Sequence, residues 1–221
     1  MPRRSSAIKS ASLRHENQYY KLGYIRIVGM DEAGRGTWAG PVAVGAVCLP
    51  LSDLKLKTVL TGVNDSKVLT PRMRAQLADR IKQVAVTWGV GSASNQEIDE
   101  HGIDRATRLA MGRALDMARQ GRDFQPDCLF LDSMLWPEMP HIPQVSIVDG
   151  DARSLSIAAA SILAKVWRDE QMRELDKQYP QYEFGVHKGY GTAKHRAILK
   201  AFGPSPLHRM TFKPLLKLQR K

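Results

Sequence analysis

No apolar run in this chain approaches the roughly 18 residues that a bilayer-spanning helix needs, so no membrane association is expected. Cysteine is scarce. Cys48 and Cys128 are the only two, each inside an apolar stretch. They read as reduced core residues of a cytoplasmic protein, and a disulfide is not expected. No Cys/His spacing matches a zinc site. Repeats and low-complexity linkers are missing, which points to one main domain. Residues 1–22 are basic and polar without an apolar core, so secretion is not expected and the segment reads as a flexible basic tail.

Acid is also missing from one end. Residues 185–221 hold nine Lys/Arg and no Asp or Glu, so they carry +9 of the formal +11. One reading of such an extension is solubility. The other is an edge that contacts phosphates, with affinity falling steeply as salt rises.

What is present is an α/β pattern. "YIRIVGMD", "PVAVGAVCLP" and "VAVTWGVGSAS" read as strands. Thr70 and Pro71 open a helix with an N-cap and a proline in the first turn. "NQEIDEHGIDRATRLAMGRALDMARQ" reads as one or two helices. "DCLFLDS" and "QVSIVDGD" read as further strands, the second ending in Asp149 and Asp151. The stretch from "SLSIAAASILAKV" onward is a long helix rich in alanine. The order implies a mixed sheet flanked by helices.

Three of these strands end in acids: Asp31 with Glu32, Asp132, and Asp151. A single such acid is usually a cap or turn former. Several at the ends of apolar runs suggest carboxylates that converge. Such a cluster repels itself unless protons or cations neutralise it. All-oxygen donors suit Mg2+ or Mn2+. Two such ions about 3.5–4 Å apart support in-line displacement at phosphorus. A basic chain with such a site is a candidate nuclease.

Around the acids stand residues with two readings each. Gly34 and Gly36 flank Arg35, either as a tight turn or as a backbone pocket open to a sugar or phosphate. Ser66 and Lys67 could bind phosphate or form a surface turn. Tyr190, between glycines, either plugs the core or stacks on a sugar or base. Ser161 and Lys165, four apart, share a helix face that is turned to substrate or serves packing.

Six stretches occur in order: "DEAGRG", "NDSKVLT", "LFLDS", "GDARSLSIAAASILAKVWRD", "HKGYGT" and "GPSPLHR". Together they resemble the type 2 ribonuclease H family of bacteria, the ribonuclease HII enzymes. The resemblance spans residues 25–212. It implies an RNase H-like fold, a five-stranded mixed sheet flanked by helices, over residues 23–184, with a helical extension at 185–221. It implies a monomer that uses Mn2+ or Mg2+ to cleave the RNA strand of RNA–DNA hybrids, and to cleave 5′ of single ribonucleotides in duplex DNA. The products would be 3′-hydroxyl and 5′-phosphate ends, in excision repair and primer removal, with a sliding clamp as a candidate partner. Carried over by position, the catalytic and metal-binding acids are Asp31, Glu32, Asp132 and Asp151. Gly34, Arg35 and Gly36 would sense the ribose 2′-hydroxyl. Tyr190 would stack near the ribonucleotide, and Ser66 and Lys67 would face phosphates.

One departure stands out. The family usually has lysine two positions before the last catalytic aspartate, and here that residue is Asp149. If the strand continued, Asp149 and Asp151 would share a face and compete as ligands. Gly150 and the following helix favour Asp151. The rival readings are a junction-resolving nuclease on the same general fold, and a non-catalytic nucleic-acid binder that uses the basic extension alone. The second leaves the acids unexplained.

Overall fold

The computed structural model describes residues 11–121 and 123–219. Five strands form one mixed sheet: β1 (Ile27–Ala33), β2 (Val42–Cys48), β3 (Thr87–Ala93), β4 (Cys128–Asp132) and β5 (Gln144–Ile147). Their order is β3-β2-β1-β4-β5. β1 runs antiparallel to β2, as β2 does to β3, while β1, β4 and β5 are parallel. All seven residues of β2 are buried because helices cover both faces, which explains its unbroken apolar run.

Short helices α1 (Arg14–Tyr20) and α2 (Leu56–Val59) precede α3 (Pro71–Val84). The Thr70 hydroxyl accepts the Met73 amide and Pro71 opens α3, as the sequence indicates. α4 (Asn95–His101) starts with a capping box of Ser94 and Glu97. Gly102, at φ +77°, then breaks the run before α5 (Ile103–Arg119), so the 95–120 segment is two helices.

α5 lies on one sheet face, with Ala106, Ala110 and Ala114 packed over Val44, Ala46 and Ala93. The long helix α7 (Leu155–Gln178) lies on the other face with α3. Glycines under both helices let backbone meet backbone. A Cβ on Gly45 would sit 2.2 Å from the Ala160 carbonyl oxygen, and one on Gly91 2.2 Å from that of Ala110. The alanines of "SIAAASILA" are therefore packing residues.

The flexible tail expected over 1–22 is not what the described part forms. α1 docks at the start of α7, where the fully buried Glu16 accepts the Ser156 amide at 2.9 Å and the Ser154 and Ser156 hydroxyls at 2.6 and 2.8 Å. An acid facing free amides at a helix start is stabilising. Residues 1–10 lie outside the described part. Cys48 and Cys128 are buried and free, and burial pushes both thiols up to about 12. Among the described residues no helix is long and apolar enough to cross a membrane.

The basic extension is helical: α8 (Phe184–His187), α9 (Ala193–Phe202) and α10 (Lys213–Gln219). Residues 220 and 221 lie outside the described part. The extension is not separable at residue 185, because Tyr182, Phe184, Ile198 and Leu207 pack together with Met172 of α7. At its centre His187, His195 and His208 are buried and neutral. Burial, then neighbouring rings, holds His195 at about 4, and burial holds His208 at about 4 as well. These folded-state values lie below the unfolded value of about 6.5, so protonation favours the unfolded chain. Their contribution is complete above about pH 6.5 and is lost as pH falls towards 4. Thermal midpoints should decline across that window, and His208→Gln should flatten part of the decline in a pH series by calorimetry.

Candidate active site

β1 and β4 last pair at Met30 with Leu131. Continuing that register by one residue sets Asp31 beside Asp132. Like charges directly opposite are unfavourable, and the ladder ends there. The opening lies at the carboxyl ends of two parallel strands, where α/β sheets bind ligands.

Asp151 joins them from a different kind of element. β5 ends at Ile147, and Asp149 turns the chain with φ +52°. Asp151 then sits in the short helix α6 (Gly150–Arg153). The expected strand to Asp151 is thus a strand, a left-handed turn and a helix. Asp149 is exposed and Asp151 buried, so they do not share a face. The Gly150 amide donates to Asp132 Oδ1 at 2.8 Å, which locks the turn against β4. Carboxylate oxygens of Asp31, Asp132 and Asp151 all lie within 4.8 Å of one another.

Glu32 stands apart from this trio. Pleating turns adjacent strand residues to opposite faces. Asp31 faces α7, with the Ser161 side chain beside it. Glu32 faces Arg35 at 3.9 Å, and Arg35 in turn pairs with Asp104 of α5. Glu32 still feels the field of Asp132.

The charges are costly as they stand. Burial, then Glu32 and Asp132, holds the Asp31 carboxyl well above the usual carboxylate range. Glu32 is raised by burial despite Arg35. Asp151 is raised by burial and by Asp65, with Lys67 opposing. Lys67 Nζ, 3.2 Å from Asp151 Oδ2, is the cation paired with the trio. Hard oxygen donors that converge in a buried, electronegative opening fit a divalent cation such as Mg2+ or Mn2+.

The surrounding residues sort themselves by exposure. Gly34 has φ +92°, and a Cβ there would strike the Arg168 side chain. Gly36 is exposed, and a Cβ on it would meet nothing. Tyr190 is 43% exposed, so it does not plug the core. Lys165 Nζ lies 5.5 Å from its ring centre and 2.7 Å from Asp169 Oδ1. Ser66 has a second role. Its side chain is buried and its hydroxyl accepts from Ser161 at 2.9 Å, which supports the floor of the site. Lys67, next to it, has a side chain 75% exposed.

Sequence reasoning missed the buried cations beneath these loops. Arg74 donates to the Ser66 and Leu69 carbonyls at 2.8 and 2.7 Å and pairs with Asp169 at 3.4 Å. Arg168 donates to the Pro41, Ala39 and Lys188 carbonyls and to the Thr37 hydroxyl. Arg209 holds three carbonyls of residues 34–40. The only signal was local: Arg168 sits between Ala164 and Met172, both buried, on one face of α7, and Arg209 in a Pro-rich stretch.

The family model for ribonuclease HII matches residues 28–215. The chain belongs to the ribonuclease HII family. A ribonuclease HII of Roseiflexus castenholzii is 48% identical over 92% of this chain and 89% of its own length. One from Desulfitobacterium hafniense is 50% identical over 93% of this chain and 75% of its own. Among solved structures, ribonuclease H2 from Pyrococcus horikoshii aligns with TM-score 0.69 and 25% identity, covering 88% of this chain and 97% of that one. A Bst-RNase HIII solved with Mn2+ has TM-score 0.70 at 20% identity, covers 91% of this chain and 71% of that one, and shows the shared fold. The ribonuclease HII assignment makes the chain a divalent-metal-dependent hydrolase that cleaves the RNA of RNA–DNA hybrids. The five-stranded mixed sheet is the one the motifs implied.

Proposed function

We propose that the chain cuts RNA in RNA–DNA hybrids and also cuts 5′ of a single ribonucleotide embedded in duplex DNA, leaving 3′-hydroxyl and 5′-phosphate ends. The observation that carries this reading is the Asp31, Asp132 and Asp151 trio at the mouth of β1 and β4, beside a glycine turn with open space over Gly36. Asp31, Asp132 and Asp151, with Glu32 completing the set, would hold Mn2+ or Mg2+. When bound, two such ions supply an activated water and stabilise the leaving oxygen of an in-line displacement at phosphorus.

The chain's own groups do the rest. The main chain of Gly34, Arg35 and Gly36 meets the ribose 2′-hydroxyl, the group that separates RNA from DNA at a single nucleotide. Backbone readout is indifferent to base sequence, as excision of misplaced ribonucleotides and removal of RNA primers require. The exposed Tyr190 ring supplies a stacking face. Lys67 reaches from Asp151 towards the phosphate and offsets its charge. The exposed lysines and arginines of α9 and α10 would track the flanking backbone, as a monomer in the cytoplasm. A sliding clamp is a candidate partner, since an RNase HII of Archaeoglobus fulgidus was solved in complex with PCNA.

Cleavage of a duplex with one ribonucleotide, against an all-DNA duplex and with Mn2+ and Mg2+ titrated, tests the reading. Cutting of both duplexes would favour a junction-type nuclease. Metal-independent binding with no cutting would favour a simple binder. Gly36→Ala sharpens the test. Its Cβ meets no protein atom, so the thermal midpoint should stay within about 1 °C of wild type. A methyl group over the ribose contact should still lower cleavage at a single ribonucleotide by about ten-fold or more, which steady-state rates would reveal.

A further inference from the structure

The two stretches assigned above to the ribonucleotide, the 34–36 turn and the Tyr190 loop, lie far apart in sequence. Both are anchored to one pair of adjacent residues in the extension, His208 and Arg209.

Arg209 is fully buried, and its guanidinium is spent on main-chain carbonyls. Nη2 donates to Gly34 O at 2.7 Å and Nη1 to Arg35 O at 2.9 Å. Nε and Nη2 donate to Gly40 O at 3.0 and 2.9 Å. The Arg209 amide also donates to Trp38 O at 2.8 Å. In a trans peptide the carbonyl of one residue and the amide of the next point in opposite directions. Drawing the Gly34 and Arg35 carbonyls inward therefore turns the Arg35 and Gly36 amides outward. Those outward donors are what a ribose hydroxyl needs.

His208 works on the other stretch. Its Nδ1 accepts the Ser205 amide at 2.8 Å, so its proton is on Nε2. That proton is directed at His195 Nε2, 2.9 Å away, which leaves His195 protonated on Nδ1. His195 Nδ1 then donates to Tyr190 O at 2.9 Å. The chain has one direction, and every member is satisfied. An isolated bridge between Ala39 and His208 and the Trp38 amide on Gly189 O close the same unit.

We propose that His208 and Arg209 are positioning residues for ribonucleotide specificity, holding the outward amides of the 34–36 turn and the Tyr190 ring at one fixed separation. This rests on the assignment of those two stretches to the substrate. Neither residue is a catalytic group. Their contribution is that both contacts are in place before the nucleotide arrives.

The test is binding, measured by fluorescence anisotropy with EDTA present so that no cutting occurs. The probes are a DNA duplex with one ribonucleotide and its all-DNA counterpart. Each variant is measured below its own thermal midpoint. Arg209→Lys keeps the charge but lacks the fork that spans three carbonyls. It should lower the preference for the ribonucleotide duplex by about ten-fold or to parity, with all-DNA affinity within about two-fold. His195→Leu should act alike through Tyr190. His195→Asn, whose amide can donate from the Nδ1 position, should restore the preference. A merely structural role would lower the midpoint and leave the preference intact. That result in Arg209→Lys and His195→Leu, while Gly36→Ala loses the preference, overturns this inference and leaves the substrate assignment standing. If Arg209→Lys does not fold, the His195 pair decides. Retention of the preference by Gly36→Ala as well overturns the assignment itself.

Discussion

Asp151→Asn should lower Mn2+-dependent cleavage by about 10³-fold or more, because metal charge stabilisation contributes several kcal/mol and about 4 kcal/mol corresponds to about 10³ in rate. Asp149→Asn should keep most of the activity. The two positions are separated by one glycine and look interchangeable in the sequence. In the fold they are not. Asp149 is exposed in a left-handed turn, while Asp151 is buried in α6 within ligand distance of Asp31 and Asp132. The Gly150 amide on Asp132 fixes which of the two enters the opening. A Cβ on Gly150 would approach Ile157 to 2.7 Å, so the turn has little freedom to rotate. Initial rates on a duplex with one ribonucleotide, across a Mn2+ range, check this. Loss in Asp149→Asn with retention in Asp151→Asn would reverse the assignment.

Gly45→Val should be the most damaging substitution away from the acids. Gly45 pairs with Asp31 across β1 and β2 and so shares its face, beneath α7. A Cβ there would lie 2.2 Å from the Ala160 carbonyl oxygen, which is backbone and cannot swing aside. Overpacking against a backbone costs about 3 kcal/mol, or roughly 6–12 °C in melting midpoint for a chain of this size. The damage should reach function too. Raising α7 withdraws Ser161 from both Asp31 and Ser66, so the floor of the acid site opens. Calorimetry should show the lower midpoint, and cleavage measured well below it should still be reduced. A wild-type midpoint would mean that α7 does not rest on this strand as closely as described.

Part of the acid cluster is legible in the sequence. Asp132 ends an apolar strand and Asp31 closes the apolar run of β1, which itself continues to Ala33, and strands of one sheet share an edge. Thr70 and Pro71 mark a helix start because their local chemistry allows little else. The motif order alone carried the family. Other features were read locally and came out differently. "QVSIVDGD" looks like a strand to its last residue, yet it leaves the sheet at Ile147, because the left-handed turn at Asp149 brings the Gly150 amide onto Asp132. Residues 11–22 are polar, but Glu16 has a partner in the start of α7, a contact across more than a hundred residues. Ser66 reads in the sequence as a phosphate contact alone, and its hydrogen bond from Ser161, 95 residues away, is a tertiary feature.

The pair of acids in "DEAGRG" shows where the division falls. The sequence by itself determined that two carboxylates stand together before a glycine turn, and that protons or cations must offset their repulsion. Covalent order and local sterics suffice for that. Only the tertiary structure decided that α6 and not a strand delivers the third member of the trio, and that buried arginines from α7 and the extension hold the turn. Those outcomes depend on which distant groups come into contact. A guanidinium is buried here because carbonyls from another part of the chain happen to surround it, and no local pattern records that.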